Sequence, residues 1–205
     1  MKKSSILILI IICLVGCKKG SNETTITGEI KGLGTDTLYL YGMDELYDRI
    51  DTIYVENDKF SYTTSVDTIT SAYLLLKNRI EYPVFLDKGN KIKIKGDTIN
   101  LNFLTISGNI YNEEFTDFQK ALEDPADPSE KAGEETVDKR ITVEKANTAE
   151  EMAEEFILQH HSSYVSLYLL DKYFVQKETP DFSKIKKLVE VMTGVLQDKP
   201  YIERL

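Results

Sequence analysis

Hydrophobic and polar positions along this chain follow two regimes, with a break near Gly108. Before the break, apolar residues alternate with polar ones in short runs separated by turn residues, the period of a half-buried strand. Ile26 to Ile30 alternates and stops at the turn Gly32-Leu33-Gly34-Thr35-Asp36. Thr37 to Tyr41 sets Leu38 and Leu40 on one face and Tyr39 and Tyr41 on the other. Asp51 to Val55 and Lys59 to Thr63 flank Glu56-Asn57-Asp58, a hairpin signal because Asn and Asp tolerate left-handed backbone. Ser71 to Lys77 carries a continuous apolar run, as a buried central strand would, and Tyr82 to Leu86 follows. Asp87-Lys88-Gly89-Asn90 turns into Lys91 to Lys95, whose strict alternation marks one wet face, and Leu101 to Ser107 completes the set. Eight short strands at this spacing predict an antiparallel β-sandwich or barrel.

After Gly108 the period lengthens. Ile110, Tyr111, Phe115, Phe118 and Leu122 recur at helical spacing and end before Asp124-Pro125. Residues 125–147 are charged and poor in large apolar side chains, either a solvated loop or an exposed helix extension. Thr148 to Glu151 has the T-x-x-E form of a capping box, opening a helix with Met152, Phe156 and Ile157. Ser162-Ser163 restarts the chain into a largely buried stretch, Tyr164 to Phe174. Thr179-Pro180 forms a cap and first-turn pair for a last helix with one apolar stripe: Phe182, Ile185, Leu188, Val189, Met192, Val195 and Leu196. Strands followed by helices, without alternation, predict an α+β chain: an all-β domain over 24–108 and a helical segment over 109–205.

The first residues belong to neither part. Lys2-Lys3 precede an apolar run of 11 residues, Ile6 to Gly16. A membrane-spanning helix needs about 20, so the run has signal-peptide length instead. Cys17 follows small Gly16, with Leu14 three residues before it, whereas Cys13 follows three isoleucines. Leu14-Val15-Gly16-Cys17 therefore reads as a lipoprotein processing site: residues 1–16 leave as a signal peptide, Cys17 is lipidated, and 17–23 form a short tether. More than one acyl chain makes such anchoring effectively permanent. Lys18 directly after the cysteine resembles lipoproteins sent to the outer membrane, which implies a periplasm-facing location.

Charge and cysteine content narrow the function. The net charge is −9, and losing two lysines with the leader takes it to −11. Nucleic acid calls for a basic face, so it is excluded as a partner, and anionic headgroups would repel such a chain beyond its anchor. Cys13 and Cys17 are the only cysteines. Once one is cleaved away and the other acylated, the body holds no thiol, no disulfide and no Cys-x-x-Cys.

Four groups of residues carry a family resemblance. They are Thr27 to Ile30 with Leu38-Tyr39-Leu40; Ile50-Asp51-Thr52 with Val55 to Phe60; Phe85 to Ile92 with Ile106-Ser107-Gly108; and Phe156-Ile157 with Ser163 to Ser166 and Leu169-Leu170. In order and spacing they resemble envelope lipoproteins of double-membrane bacteria that join an N-terminal all-β domain of unknown function and a helical connector to a thioredoxin-like domain. The resemblance covers nearly all of 24–197. Asn57-Asp58 stands where that family usually has Asp-Gly, a mild change because Asn also visits positive φ. The larger departure is that the chain stops at Leu205, about where the family's linker begins, and lacks the Trp-Cys-x-x-Cys motif. No catalytic residue carries over.

Other chemistry-bearing residues are sparse. His160-His161 point about 100° apart on a helix and cannot share one metal ion, so they read as helix-end residues. Glu113-Glu114, Glu134-Glu135, Glu150-Glu151 and Glu154-Glu155 read as solvated helix faces rather than an acid pair across a cleft. No nucleotide, calcium or hydrolase motif occurs, so no catalytic residue, metal or cofactor is assigned. Tyrosine is abundant, at 12. Tyr39, Tyr41, Tyr54 and Tyr62 are candidate ligand-facing aromatics, with cross-strand pairing as their ordinary role. The expectation is a non-catalytic interaction module, accessory to a thioredoxin-fold protein in trans. Its alternatives are a glycan- or peptide-binding lipoprotein and a shortened relic of a thioredoxin-fused one.

Overall fold

Strand formation follows the alternation closely. The computed structural model describes residues 22–43, 46–123, 149–197 and 202. Its eight strands are β1 Glu23–Lys31, β2 Asp36–Gly42, β3 Ile50–Val55, β4 Lys59–Ser65, β5 Thr70–Leu75, β6 Glu81–Leu86, β7 Lys91–Asp97 and β8 Thr105–Ser107. They make two four-stranded sheets: sheet A in the order β4-β1-β7-β8, sheet B in the order β3-β2-β5-β6. Four helices follow: α1 Ile110–Glu123, α2 over residues 149–159, α3 Tyr164–Leu170 and α4 Phe182–Val191. The chain is α+β, and of the two β arrangements expected it takes the open sandwich, because the sheets do not close into a barrel.

Each inner face centres on buried aliphatic side chains. Sheet A contributes Ile26, Ile30, Ile92, Ile94 and Ile106, and sheet B contributes Leu38, Leu40, Ile53, Leu74 and Val84, all within one core. Most neighbours pair antiparallel, but β1 and β7 run parallel, with Thr27 opposite Lys93. A parallel pair needs a long crossover, supplied here by all of sheet B.

The β3–β4 hairpin crosses between the sheets. Asn57 and Asp58 both have positive φ (51° and 69°), the type I′ geometry their side chains permit. The amide of Glu56 donates to the Lys59 carbonyl at 2.9 Å, and ladder pairing then ends as β3 joins sheet B and β4 joins sheet A. Asp58 Oδ1 also accepts from the Gly34 amide at 2.6 Å, which seats this turn beside the β1–β2 turn.

The opposite side, between β6 and β8, is closed by α1. Asn109 caps the helix, its Oδ1 accepting from the Asn112 amide at 3.0 Å. Asn112, on the buried side, accepts from the Phe85 amide at 3.0 Å and donates to the Phe85 carbonyl at 2.8 Å. One turn later Thr116 Oγ1 accepts from the Ile106 amide and donates to its carbonyl, both at 2.9 Å. A helix thus satisfies two strand edges with side chains standing in for a missing strand, since buried backbone groups must find partners. Pro83 sits on the same outer edge as Phe85, two residues earlier, so its missing N–H costs no ladder bond.

Several sequence expectations shift. Ile110, which the helical spacing puts on the apolar stripe of α1, is exposed, while polar Asn112 and Thr116 are buried. β8 covers only Thr105–Ser107, because Leu101 and Leu104 fill the core from a turn. The cap of α4 is Asp181, whose Oδ1 accepts from the Lys184 amide at 3.1 Å, rather than Thr179-Pro180. The helix stops at Val191, Phe182 points to solvent, and Met192 is reached in extended backbone. The stretch after Ser163 is α3 followed by a wider π turn over Asp171–Val175. Thr148, the 125–147 segment and the 1–21 leader and tether, Cys17 included, lie outside the described residues.

Candidate functional site

The helices pack on part of sheet B's outer face and leave the rest open. Tyr73 of β5 meets Tyr168 of α3 edge-on at 6.4 Å, and Tyr168 meets Phe115 of α1 at 5.2 Å. Phe115 also contacts Tyr82 and Phe85 of β6. Aromatic pairs of this kind contribute about 0.5–1.5 kcal/mol each beyond their burial, and they fasten the helical layer to β5 and β6.

Beyond them the face is bare. The register sets Tyr41 opposite Ile50, Tyr39 opposite Thr52, and Thr37 opposite Tyr54. Tyr54 and Ile50 are each 73% exposed and Tyr39 is 41% exposed. Tyr41 is the bounding residue: its hydroxyl donates to Glu81 and its ring lies 5.7 Å from Tyr73. The burial of Tyr41 and its bond to Glu81 push its phenol above the ordinary tyrosine range. Tyr39, Ile50 and Tyr54 therefore form an apolar strip on β3 and β2, at the edge of a sheet, where unpaired strands and large exposed side chains favour contacts with other chains.

Tyr62 stands apart from the other three candidate aromatics. It belongs to β4 in sheet A, opposite buried Ile26, and cannot share a surface with Tyr39 and Tyr54. Its company is a polar cluster that the sequence reading passed over. Arg49 Nε donates to Asp51 Oδ2 at 3.1 Å, and its guanidinium also bonds Thr64 Oγ1 and, at 3.3 Å, the Ser65 carbonyl. The Tyr47 hydroxyl donates to the same Asp51 oxygen, and the Arg49 guanidinium lies 4.8 Å from the Tyr47 ring centre. Burial, then the Asp51 hydrogen bond, pushes the Tyr62 phenol up to about 12. The cluster pins residues 46–49 to β4 beside a hollow of about 280 Å³. Arg49 already serves three acceptors, so its role is structural. The period-two spacing of Tyr47, Arg49 and Asp51, running into the start of β3, is the signal that could have found it.

Other candidate groups also have structural partners. His160 Nδ1 lies 3.0 Å from the Phe156 carbonyl, which also accepts from the His160 amide at 2.9 Å, and His161 Nε2 lies 2.6 Å from the Leu158 carbonyl, so both rings meet carbonyls of the last turn of α2. Glu150 pairs with Lys177 at 2.6 Å and Lys184 at 3.6 Å; Glu154 pairs with Lys184 at 2.6 Å. Glu114 accepts from Ser163 Oγ at 2.5 Å, joining α1 to the cap of α3. Glu134-Glu135 lies outside the described residues. Among the described residues no three His, Cys, Asp or Glu side chains converge as a metal site would require.

Residues 24–115 match the family described as Domain of unknown function (DUF4369). No curated protein matches the chain, and no solved structure does. The match continues past the last strand into α1 as far as Phe115, and so takes in Asn112, whose side chain seals β6. Over residues 24–115, then, the chain is similar to a domain of unknown function, and the similar stretch takes in all eight strands and the first turns of the helix that seals them.

Proposed function

We propose that the protein is a lipid-anchored, non-catalytic interaction module facing the periplasm from the outer membrane. It would meet a partner protein through the Tyr39–Ile50–Tyr54 strip. The observation that carries this reading is the strip itself: large apolar side chains held open on edge strand β3 and its neighbour β2, beside a core in which comparable residues are fully buried. Exposed aromatics of this type are the anchors around which protein interfaces form. The leader and Cys17 support the membrane tether, and the resemblance to thioredoxin-fused lipoproteins supports a thioredoxin-fold protein as the partner in trans.

Two measurements test the two halves separately. Metabolic labelling with a clickable fatty acid should tag the wild-type product and leave a Cys17→Ala chain unlabelled. Equal labelling of both removes the anchor. A photo-crosslinking residue at Tyr54, in cells, should trap a thiol-active partner that the same residue at Lys186 does not. A small-ligand reading is favoured instead if glycans or peptides raise the melting temperature of the wild type and fail to do so for Tyr54→Ala. Stabilisation by a ligand at a hundredfold excess over Kd is about 2.7 kcal/mol.

A further inference from the structure

We propose that the outer face of sheet A lies against the phosphate headgroups of an anionic phospholipid surface, an inference that rests on the membrane-tethered reading above. The net charge of −9 predicts repulsion from such a surface, but the charge is unevenly spread. Lys91, Lys93 and Lys95 alternate along β7 with buried Ile92 and Ile94, so their side chains leave the sheet on its wet side about 6.6 Å apart. Lys93 lies opposite Thr27 and Ser107; Lys95 lies opposite Glu29 and Thr105; Lys59 of β4 lies opposite Glu29 from the other side. Across these rows four lysines meet one carboxylate; with the rows at either end the face carries Lys31 as well, against Glu23, Glu29 and Asp97, and so keeps a positive excess.

Elsewhere Lys77, Lys120, Lys177 and Lys184 each hold an aspartate or glutamate within 4 Å, whereas the exposed Lys186 and Lys187 of α4 have none among the described residues but stand singly rather than in a cross-strand array. Among the described residues, Lys59, Lys91, Lys93 and Lys95 make no ion pair and no side-chain hydrogen bond. Edge protection does not account for them either, because β7 is an inner strand, flanked by β1 and β8. Unpaired ammonium groups on a flat face, with serine and threonine hydroxyls between them, offer donors to phosphate oxygens. Basic groups held within a Debye length of an anionic leaflet are attracted to it.

The chain's connectivity brings the face to the membrane. β1 and β7 are parallel, so Lys91 sits at the end of the sheet where β1 begins. From Cys17 to Asn22 the backbone spans at most about 20 Å even when extended. An acylated Cys17 thus keeps that end of sheet A within reach of the headgroups.

The test uses the full chain, expressed with its own leader and reconstituted in neutral phosphatidylcholine vesicles and in vesicles containing phosphatidylglycerol. A membrane-impermeant amine reagent is applied and labelling is read by mass spectrometry. Lys91, Lys93 and Lys95 should label several-fold less on anionic than on neutral vesicles, with the protection lost at high salt. Lys186 and Lys187, exposed on α4, should label equally on both. The double substitution Lys93→Glu, Lys95→Glu should abolish protection of Lys91 without moving the melting temperature. Equal labelling of the β7 lysines on both vesicles overturns the proposal. So does protection by soluble inorganic phosphate or an anionic polysaccharide alone, which would assign the face to a soluble anion. Retention on neutral vesicles reports the acyl anchor independently: a chain retained there without headgroup protection keeps the anchor and refutes the face, and a chain bound only to anionic vesicles does the reverse.

Discussion

Replacing Asn112 by alanine tests the idea that α1 completes the sandwich by acting as a surrogate strand. Asn112 is 1% exposed and gives Phe85 both a donor and an acceptor. After truncation the Phe85 carbonyl keeps Asn109 Nδ2 at 2.8 Å, but the Phe85 amide has no other partner among the described residues. A buried donor left unpaired costs about 1–3 kcal/mol, and removing the carboxamide leaves a small void beside fully buried Phe85. The expected loss is about 2–4 kcal/mol. For a chain of this size each kcal/mol lowers the melting temperature by about 2–4 °C, so a fall of roughly 5–15 °C is expected by calorimetry or circular dichroism. Asn112→Asp sharpens the test. When protonated, its carboxyl can accept from the Phe85 amide and donate to the Phe85 carbonyl, as the amide does. When ionised, it sets a buried charge against that carbonyl. Its folded pKa should be raised, so its stability relative to wild type at the same pH should be best in acid and fall as pH rises through the carboxylate range. An Asn112→Ala loss below about 0.5 kcal/mol, or an Asn112→Asp deficit that does not change with pH, would refute the surrogate-strand account.

Tyr82→Phe should cost about 1–3 kcal/mol in chemical denaturation, because the buried Leu104 amide donates to the Tyr82 hydroxyl at 2.9 Å and would be orphaned. Gly108→Ala should prevent stable folding, read as loss of soluble protein: φ is 113° there, and a Cβ would lie 2.3 Å from the Lys91 carbonyl oxygen. Tyr62 and Tyr73 are each pushed up to about 12, burial being the larger cause. An unfolded phenol titrates near 10, so their contribution is complete below about pH 10 and is lost as pH rises through 12. Unfolding and phenolate absorbance should then appear together in that window, with stability insensitive to these groups at neutral pH. Tyr54→Ala should leave the melting temperature within about 0.5 kcal/mol of wild type in stability terms while abolishing any crosslink formed from the neighbouring Tyr39.

Strands were legible because each half-buried segment writes its burial in a period of two. Lys91 to Lys95 is the clearest case, and β7 follows it residue for residue. The continuous run at 71–77 was equally informative: β5 lies between β2 and β6 with helices above it, so both its faces are covered. What alternation cannot encode is pairing. Ile26 and Ile92 read the same whether their strands run parallel or not, and the register emerges only in three dimensions. Asn112 and Thr116 were hidden for a related reason. Polar residues on a helix read as solvent-facing unless the strand edges they serve are known. Tyr62 shows the limit for the site: its residue type marked it as a candidate, but only sheet membership separates it from Tyr39 and Tyr54.

The parallel β1–β7 pair has a consequence for how the polypeptide matures. Thr27 and the Ile92 carbonyl, bonded in the finished molecule at 3.2 Å, are 65 residues apart in sequence. An N-terminal segment that is synthesised first must keep one hydrogen-bonding edge vacant until β7 has followed it. Contacts of such long separation slow folding and expose sticky intermediates. Chaperone dependence of the nascent chain should therefore concentrate in the interval between the emergence of β1 and that of α1.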